Sequence, residues 1–366
     1  MSDENQSGSN LIAASIHLLF EGLDIAEDIY DADASQLLIA RGAALTADII
    51  EKMRDFNAGR DTIYVGAATY RQLIDKLPPI VAPNRREIEQ STGYTIAKDD
   101  TFELLDEIAR NKVVKQEALN TVSSELSNRL EVTSPSTILS LINALAPVDE
   151  YLQRHCVNVS LLNGLIGRWL GLPKKEVDTL VLIGLLHDCG KAVTPPQVLN
   201  APRKLTIVEF EVIKMHTVYS YELLTEFHET VRRAARGHHE KVSGAGYPDH
   251  LSNDKIPYGA RITAVSDIYD AMVSQRAYKT PRSPFSIMAM LNELRDKELD
   301  GRLVDVFIRN MPSELMNKPV VMSDGTIGVV RSFDPNDIEY PTIEVNGLLI
   351  KSGKNLYCTS MFIEEE

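Results

Sequence analysis

Residues 177–191, VDTLVLIGLLHDCGK, are apolar at almost every position and then end on a histidine and an aspartate. A helix that is hydrophobic all round has to be buried, so this segment dictates a core element. It also delivers two polar side chains into the interior, where unsatisfied polar groups are expensive. The fold must therefore bring partners for His187 and Asp188 from elsewhere in the chain.

Candidate partners lie in other helical segments. His155 falls in YLQRHCVNVSLLNGLIGRWLG, where Leu152, Val159, Leu162, Ile166 and Leu170 mark an amphipathic face. His216 closes TIVEFEVIKMH, which Thr206 and Glu209 open as a capping box. His238 and His239 stand side by side before the loop SGAGYP, and Asp267 lies in the largely apolar GARITAVSDIYDAMVS. No period-2 alternation interrupts 151–315, so this core reads as all-helical. One buried histidine is ordinarily just hydrogen-bonded. Five of the eight, with two aspartates, converging from separate helices point to a metal site.

Imidazole and carboxylate without clustered cysteine suit divalent transition ions, Fe or Mn first, with Zn, Ni or Co compatible. A carboxylate can bridge two ions, whereas a neutral imidazole serves one. The set then divides into His155, His187, Asp188 and Asp267 around one ion and Asp188, His216, His238 and His239 around the other. Two ions so placed suit phosphodiester hydrolysis by a bridging hydroxide, with Asp188 central to the chemistry. Lys191, one turn beyond Asp188, is a candidate cation for the phosphate, or alternatively a solvated terminal lysine.

The flanks differ from the core. Residues 1–85 read as a small α/β module with a loose start, including a helix at LTADIIEKMRDF and a strand at TIYVG; PPIVAPN punctuates its end. Residues 86–150 read as a helical linker or packing region, able either to pack on the following domain or to pair with a second subunit as a homodimer through 98–150. The core domain spans 151–317. Residues 318–366 carry β-branched runs split by DG, DPND and NG, the signature of a small β module. The fold class is thus multidomain and mainly α. A formal net charge of -14 argues against binding long nucleic acids. No stretch reaches membrane-span length, and three scattered cysteines with a polar N-terminus suit a reducing, cytoplasmic setting.

In the order HD, GK, HHE, GYP and D-x-Y-D-A with R-x-Y, residues 145–312 resemble the HD-GYP family of HD-domain phosphohydrolases. That resemblance implies hydrolysis of cyclic di-GMP to pGpG or GMP. It implies metal-ligand roles for His155, His187, Asp188, His216, His238, His239 and Asp267. Lys191 would lie beside the phosphate, Gly246, Tyr247 and Pro248 would form the signature loop, and Arg276 would face the ligand. Members with three metals usually carry glutamate where this chain has Tyr151, so two metals are expected. Ser243 replaces an aspartate common before the loop glycine.

The loop can be argued from its residues too. Gly244 and Gly246 permit positive φ and close approach, Pro248 stiffens the exit, and Tyr247 either orders the site or touches guanine. Glu240 either accepts a bond from a ligand imidazole or forms a salt bridge. Asp270 either supports a ligand or its own helix. Arg276 either contacts phosphate or serves the helix end. Cys189 reads as a small core residue, Arg261 as a buried structural one, and His17, His228 and His250 as surface residues. A catalytically silent cyclic-dinucleotide sensor and a hydrolase of another nucleotide are the competing readings.

Overall fold

The computed structural model describes residues 11–15, 22–30, 37–46, 48–49, 62–66, 68, 84–112, 114, 116–143, 151–199, 201, 203–273, 282–334, 337–345 and 348–363. They fall into two compact units. One gathers the N-terminal residues to 82 with 283–286 and 315–363; the other holds 83–282 and 287–314.

In the first unit, β1 (Leu11–Ser15) pairs antiparallel with β4 (Thr62–Gly66), and β2 (Ile29–Tyr30) with β3 (Leu37–Ile39). The TIYVG strand expected from sequence is β4. The helix expected over 45–56 lies outside the described residues except at Leu45, Thr46, Asp48 and Ile49, of which 48 and 49 are helical. The C-terminal strands are β5 (Pro319–Met322), β6 (Ile327–Asp334), β7 (Asp337–Val345), β8 (Leu348–Lys351) and β9 (Cys358–Met361). They form one antiparallel sheet of order β8-β7-β6-β5-β9. β7 alternates buried Ile343 and Val345 with less buried neighbours, as a strand with one covered face should. β1 lies alongside β8, so the two ends of the chain meet in one unit.

The second unit is helical. Its elements are α1 (Arg85–Thr92), α2 (Tyr94–Asn111), α3 (Gln116–Val132), α4 (Pro135–Asn143), α5 (Tyr151–Trp169), α6 (Lys174–Leu186), α7 (Pro196–Leu199), α8 (Ile207–Lys214), α9 (His216–Leu223), α10 (Glu229–Gly237), α11 (Tyr258–Val273), α12 (Pro284–Leu294) and α13 (Gly301–Leu315). α1 went unread in the sequence because RREIEQST has so little apolar periodicity. Its ends are nonetheless signalled: Asn84 accepts the Glu87 amide at 3.2 Å, and Gly93 takes φ 65°. α2 and α3 pack on α5 and α6, burying Tyr94, Ala97, Leu104, Leu105 and Ile108 of α2 within this unit. The α8 capping box forms as read, with Arg203 clamping Glu209 through two 2.7 Å contacts. Among the described residues, no helix is long and apolar enough to cross a membrane.

The α5–α6 pair is the spine of the unit, and α11 runs against α5, α6 and α10. α6 can approach α5 closely because residue 184 has no side chain: a Cβ there would sit 2.5 Å from the Ser160 Cα. Ser160 in turn donates to the Val181 carbonyl at 2.7 Å, joining the helices by a buried hydrogen bond. Gly184→Ala must therefore push backbone against backbone. The expected cost is about 1–3 kcal/mol, read as a fall of several degrees in the thermal melting temperature.

Candidate metal centre

The seven residues singled out in the sequence come together at the ends and faces of these helices. His155 sits on α5 and Asp267 on α11, while His187 directly follows α6 and Asp188 opens the 3-10 turn Cys189–Val193. His216 is the first residue of α9, and His238 and His239 follow α10. Two sets of donor atoms result, each closing to within 4.8 Å: His155, His187 and Asp267, and Asp188, His216, His238 and His239.

Asp188 stands between them. Its Oδ2 lies 3.5 Å from His155 Nε2 and 3.4 Å from His187 Nε2, while its Oδ1 lies 3.2 Å from His216 Nε2 and 3.7 Å from His238 Nε2. Asp267 spans the same divide less closely, with 3.1 Å to His155 Nε2 and 3.7 Å to His239 Nδ1.

Local folding fixes which nitrogen each imidazole offers. His187, His216 and His238 place Nδ1 at 2.7, 2.6 and 2.7 Å from the carbonyls of Gly184, Ile213 and Ala235. A carbonyl can only accept, so each Nδ1 carries the proton and each neutral ring presents an Nε2 lone pair to the centre. The carbonyls belong to the last turns of α6, α8 and α10, where backbone acceptors lack intrahelical partners. These histidines therefore finish three helices and face inward at once. His155 is fixed differently, by Asp270 Oδ2 at 2.7 Å from its Nδ1.

The result is an interior crowded with acceptors. The Nε2 atoms of His216 and His238 approach to 3.3 Å, though neither has a proton to share. His187 Nε2 and Asp188 Oδ1 are buried without a hydrogen bond of good geometry. Lone pairs so disposed repel one another unless a cation lies among them, and a buried carboxylate needs the same compensation. The residues thus fit a binuclear His/Asp centre for divalent transition ions.

Burial lowers the pKa of His216, His238 and His239, which keeps their lone pairs available at neutral pH. Burial pushes the Asp188 carboxyl up, but the Lys191 ammonium and then the adjoining His187 imidazole outweigh it and hold it well below the usual range. Asp267 is likewise held low against burial, first by its contact with His155. Cys156 and Cys189 are buried and pushed up to about 12, so they remain thiols and Cys189 is a core residue as read.

The surrounding residues sort themselves by contact. Lys191 Nζ touches Asp188 Oδ2. Tyr247 lays its ring against His239, centroids 4.9 Å apart, and its amide donates to the His239 carbonyl at 3.2 Å. Burial, followed by the charges of Asp188 and Asp267, raises its phenol pKa. Of the loop glycines, only Gly244 uses positive φ, at 80°. Gly246 is needed for space, since its backbone rests on that of Glu240 and Lys241. Pro248 follows through a cis peptide bond. Glu240 takes neither contact expected of it: its carboxylate accepts the amides of Asp249 and Leu251 at 2.7 and 3.0 Å and ties down the loop exit. Arg261 pairs with Asp300 at 2.6 Å, and His228 caps α10 from an exposed position. His250 is exposed too. Arg276, His17 and the side chain of Tyr151 lie outside the described residues.

Three supports were not read in the sequence. Asn158 donates to Asp270 Oδ1 at 2.6 Å and accepts from the Tyr94 hydroxyl at 2.7 Å, so a buried chain runs Tyr94–Asn158–Asp270–His155. Ser220 accepts from the Gly190 amide at 2.9 Å and donates to the His187 carbonyl at 3.0 Å, fastening α9 to the HDCGK turn. Asn158 could have been noticed one turn after His155; Tyr94 and Ser220 carry no local signal.

The model of the HD domain family matches residues 139–303, a span that contains all seven converging residues. The fold is shared with the HDG"Y"P protein Bd1817 from Bdellovibrio bacteriovorus, with TM-score 0.51, 15% identity and coverage of 82% of this chain and 99% of that one. Residues 139–303 thus form an HD domain, and the chain is related to phosphodiesterases of the HD-GYP type.

The cyclic di-GMP phosphodiesterase response regulator RpfG of Xanthomonas campestris pv. campestris is 35% identical to this chain over 206 residues, 55% of this chain and 54% of that protein. The 3'3'-cGAMP-specific phosphodiesterase 2 of Vibrio cholerae is 30% identical over 185 residues, 50% of this chain and 35% of that protein. The matched part is therefore about half or less of these relatives' own length.

Outer hydrogen bonds that orient a ligand are commonly worth about 10–100-fold in metal affinity. Asn158→Ala removes one partner of Asp270 while leaving every converging residue in place. Its divalent-ion affinity, measured by chelator competition, is expected to drop about tenfold, with the circular dichroism spectrum unchanged.

Proposed function

We propose that this chain is a metal-dependent phosphodiesterase that opens cyclic di-GMP to pGpG, GMP or both. The observation that carries the reading is Asp188, whose two oxygens face two separate imidazole groups within one buried centre. In this reading His155, His187, Asp188 and Asp267 hold one ion, and Asp188, His216, His238 and His239 hold the other.

Fe or Mn suits this donor set first; Zn, Ni or Co is also compatible. Bound there, divalent ions supply an activated water and offset charge on the phosphate.

The protein's own groups do the rest. The Nδ1 hydrogen bonds keep the rings from turning, so the donor geometry is set before substrate arrives. Lys191 places a cation against Asp188 and beside the phosphate position. Tyr247 stays protonated, covers His239 and stiffens the loop over the centre. Arg276 is assigned a phosphate contact from its sequence position alone.

Relatives named for 3'3'-cGAMP support a wider class, the cyclic dinucleotides, and give a second substrate to test. The decisive comparison uses protein purified without oxygen, assayed for metal per chain and for cyclic di-GMP and 3'3'-cGAMP turnover by chromatography. Wild type is expected to carry about two ions and to release linear product. Asp188→Ala should lose at least about 10³-fold in turnover together with bound metal, while remaining folded. A metal-loaded wild type that leaves both dinucleotides intact would instead mark a binding protein.

A further inference from the structure

Beside the centre, α2 and the 3-10 turn Cys189–Val193 pack together and leave an open cleft of about 220 Å³. From α2, Phe102, Leu105 and Asp106 line it, at i, i+3 and i+4 on one helical face. Leu152, Pro196 and Lys191 contribute to the rest of the lining. Lys191 is also the residue whose ammonium touches Asp188, so one side chain borders both the cleft and the metal centre. A phosphodiester held there has its attached nucleoside within reach of the cleft.

The lining chemistry suits a flat heterocycle. Phe102 is 57% exposed, which leaves its ring a ready stacking surface. Leu152 and Pro196 add apolar surface. Asp106 provides a carboxylate at the edge, and Arg110 one turn on pairs with its Oδ2. That pairing offsets the repulsion of a phosphate by the carboxylate, which retains further lone pairs for other donors.

On the cyclic-dinucleotide reading above, we infer that this cleft holds one guanine base of the substrate, stacked on Phe102 and read by Asp106. Guanine presents N1–H and its 2-amino group side by side, two donors for a carboxylate. Adenine presents a bare N1 acceptor at the same place and is repelled. Cytosine and uracil lack the two-ring area that Phe102 offers. Selection between purines is thus a property of Asp106, separate from the chemistry at Asp188.

The test is equilibrium dialysis of 5′-GMP and 5′-AMP against the full, metal-loaded chain, with cyclic di-GMP hydrolysis followed in parallel on the same protein. Wild type is expected to bind GMP about tenfold more tightly than AMP or better, the discrimination of a good two-bond pairing. Asp106→Asn, isosteric but with one acceptor exchanged for a donor, should collapse that ratio toward one. Phe102→Ala should weaken both nucleotides about tenfold. Equal binding of GMP and AMP by wild type, or a preference untouched by Asp106→Asn, overturns the guanine subsite even if hydrolysis is intact. A protein that hydrolyses nothing yet keeps an Asp106-dependent preference sinks the phosphodiesterase reading and leaves the subsite standing.

Discussion

Everything in the helical unit is arranged around one carboxylate that has been taken out of water. Asp188 is buried, with imidazole nitrogen facing each of its oxygens and a lysine ammonium at one of them. A buried carboxylate by itself is a liability, and adding neutral histidines that present lone pairs makes it worse. The arrangement is consistent only when positive charge occupies the space between the donors. Seen this way, the helices hold acceptors near one another against their mutual repulsion, and the strain is relieved by the ions for which they are set.

The way that repulsion is withstood lies in the backbone. Three histidines spend their Nδ1 protons on carbonyls three residues earlier, in turns where those carbonyls have no helical partner. Each ring is thus fixed by a carbonyl of its own local turn. Glycine supplies the close approaches: Gly190 lets α9 lie directly on the HDCGK turn, where a Cβ would strike the His216 carbonyl, and Gly184 does the same for α5 and α6. The G of HDCGK and the G of GYP, at Gly246, are therefore both steric requirements.

Much of this was legible because it is local. The capping box at Thr206 and Glu209 needs three residues of spacing, and the apolar runs before His187 and around Asp267 announce burial without reference to the rest of the chain. The converging residues could be named because polar side chains in such runs demand a common explanation. What stayed hidden was long-range or individual. Tyr94 and Asn158 are 64 residues apart and Asn158 and Asp270 112 apart, and no pattern links them. Glu240 resembles any carboxylate beside a histidine pair; only the folded loop shows two backbone amides turned toward it. The segment α1 was missed because its polar face outweighs its apolar one, although its caps were present in the text of the sequence.

The reach of Tyr94 across to Asn158 has a consequence for how such a chain can be built from parts. The motif-bearing stretch begins near His155, yet the ring that hangs from Asp270 is steadied by a phenol at the first residue of α2. A seam placed at residue 151 would sever that support and strip the apolar cover of α2 and α3 from the spine. A module spliced ahead of Asn84 leaves that support intact, and α1 and then α2 become the first elements it meets.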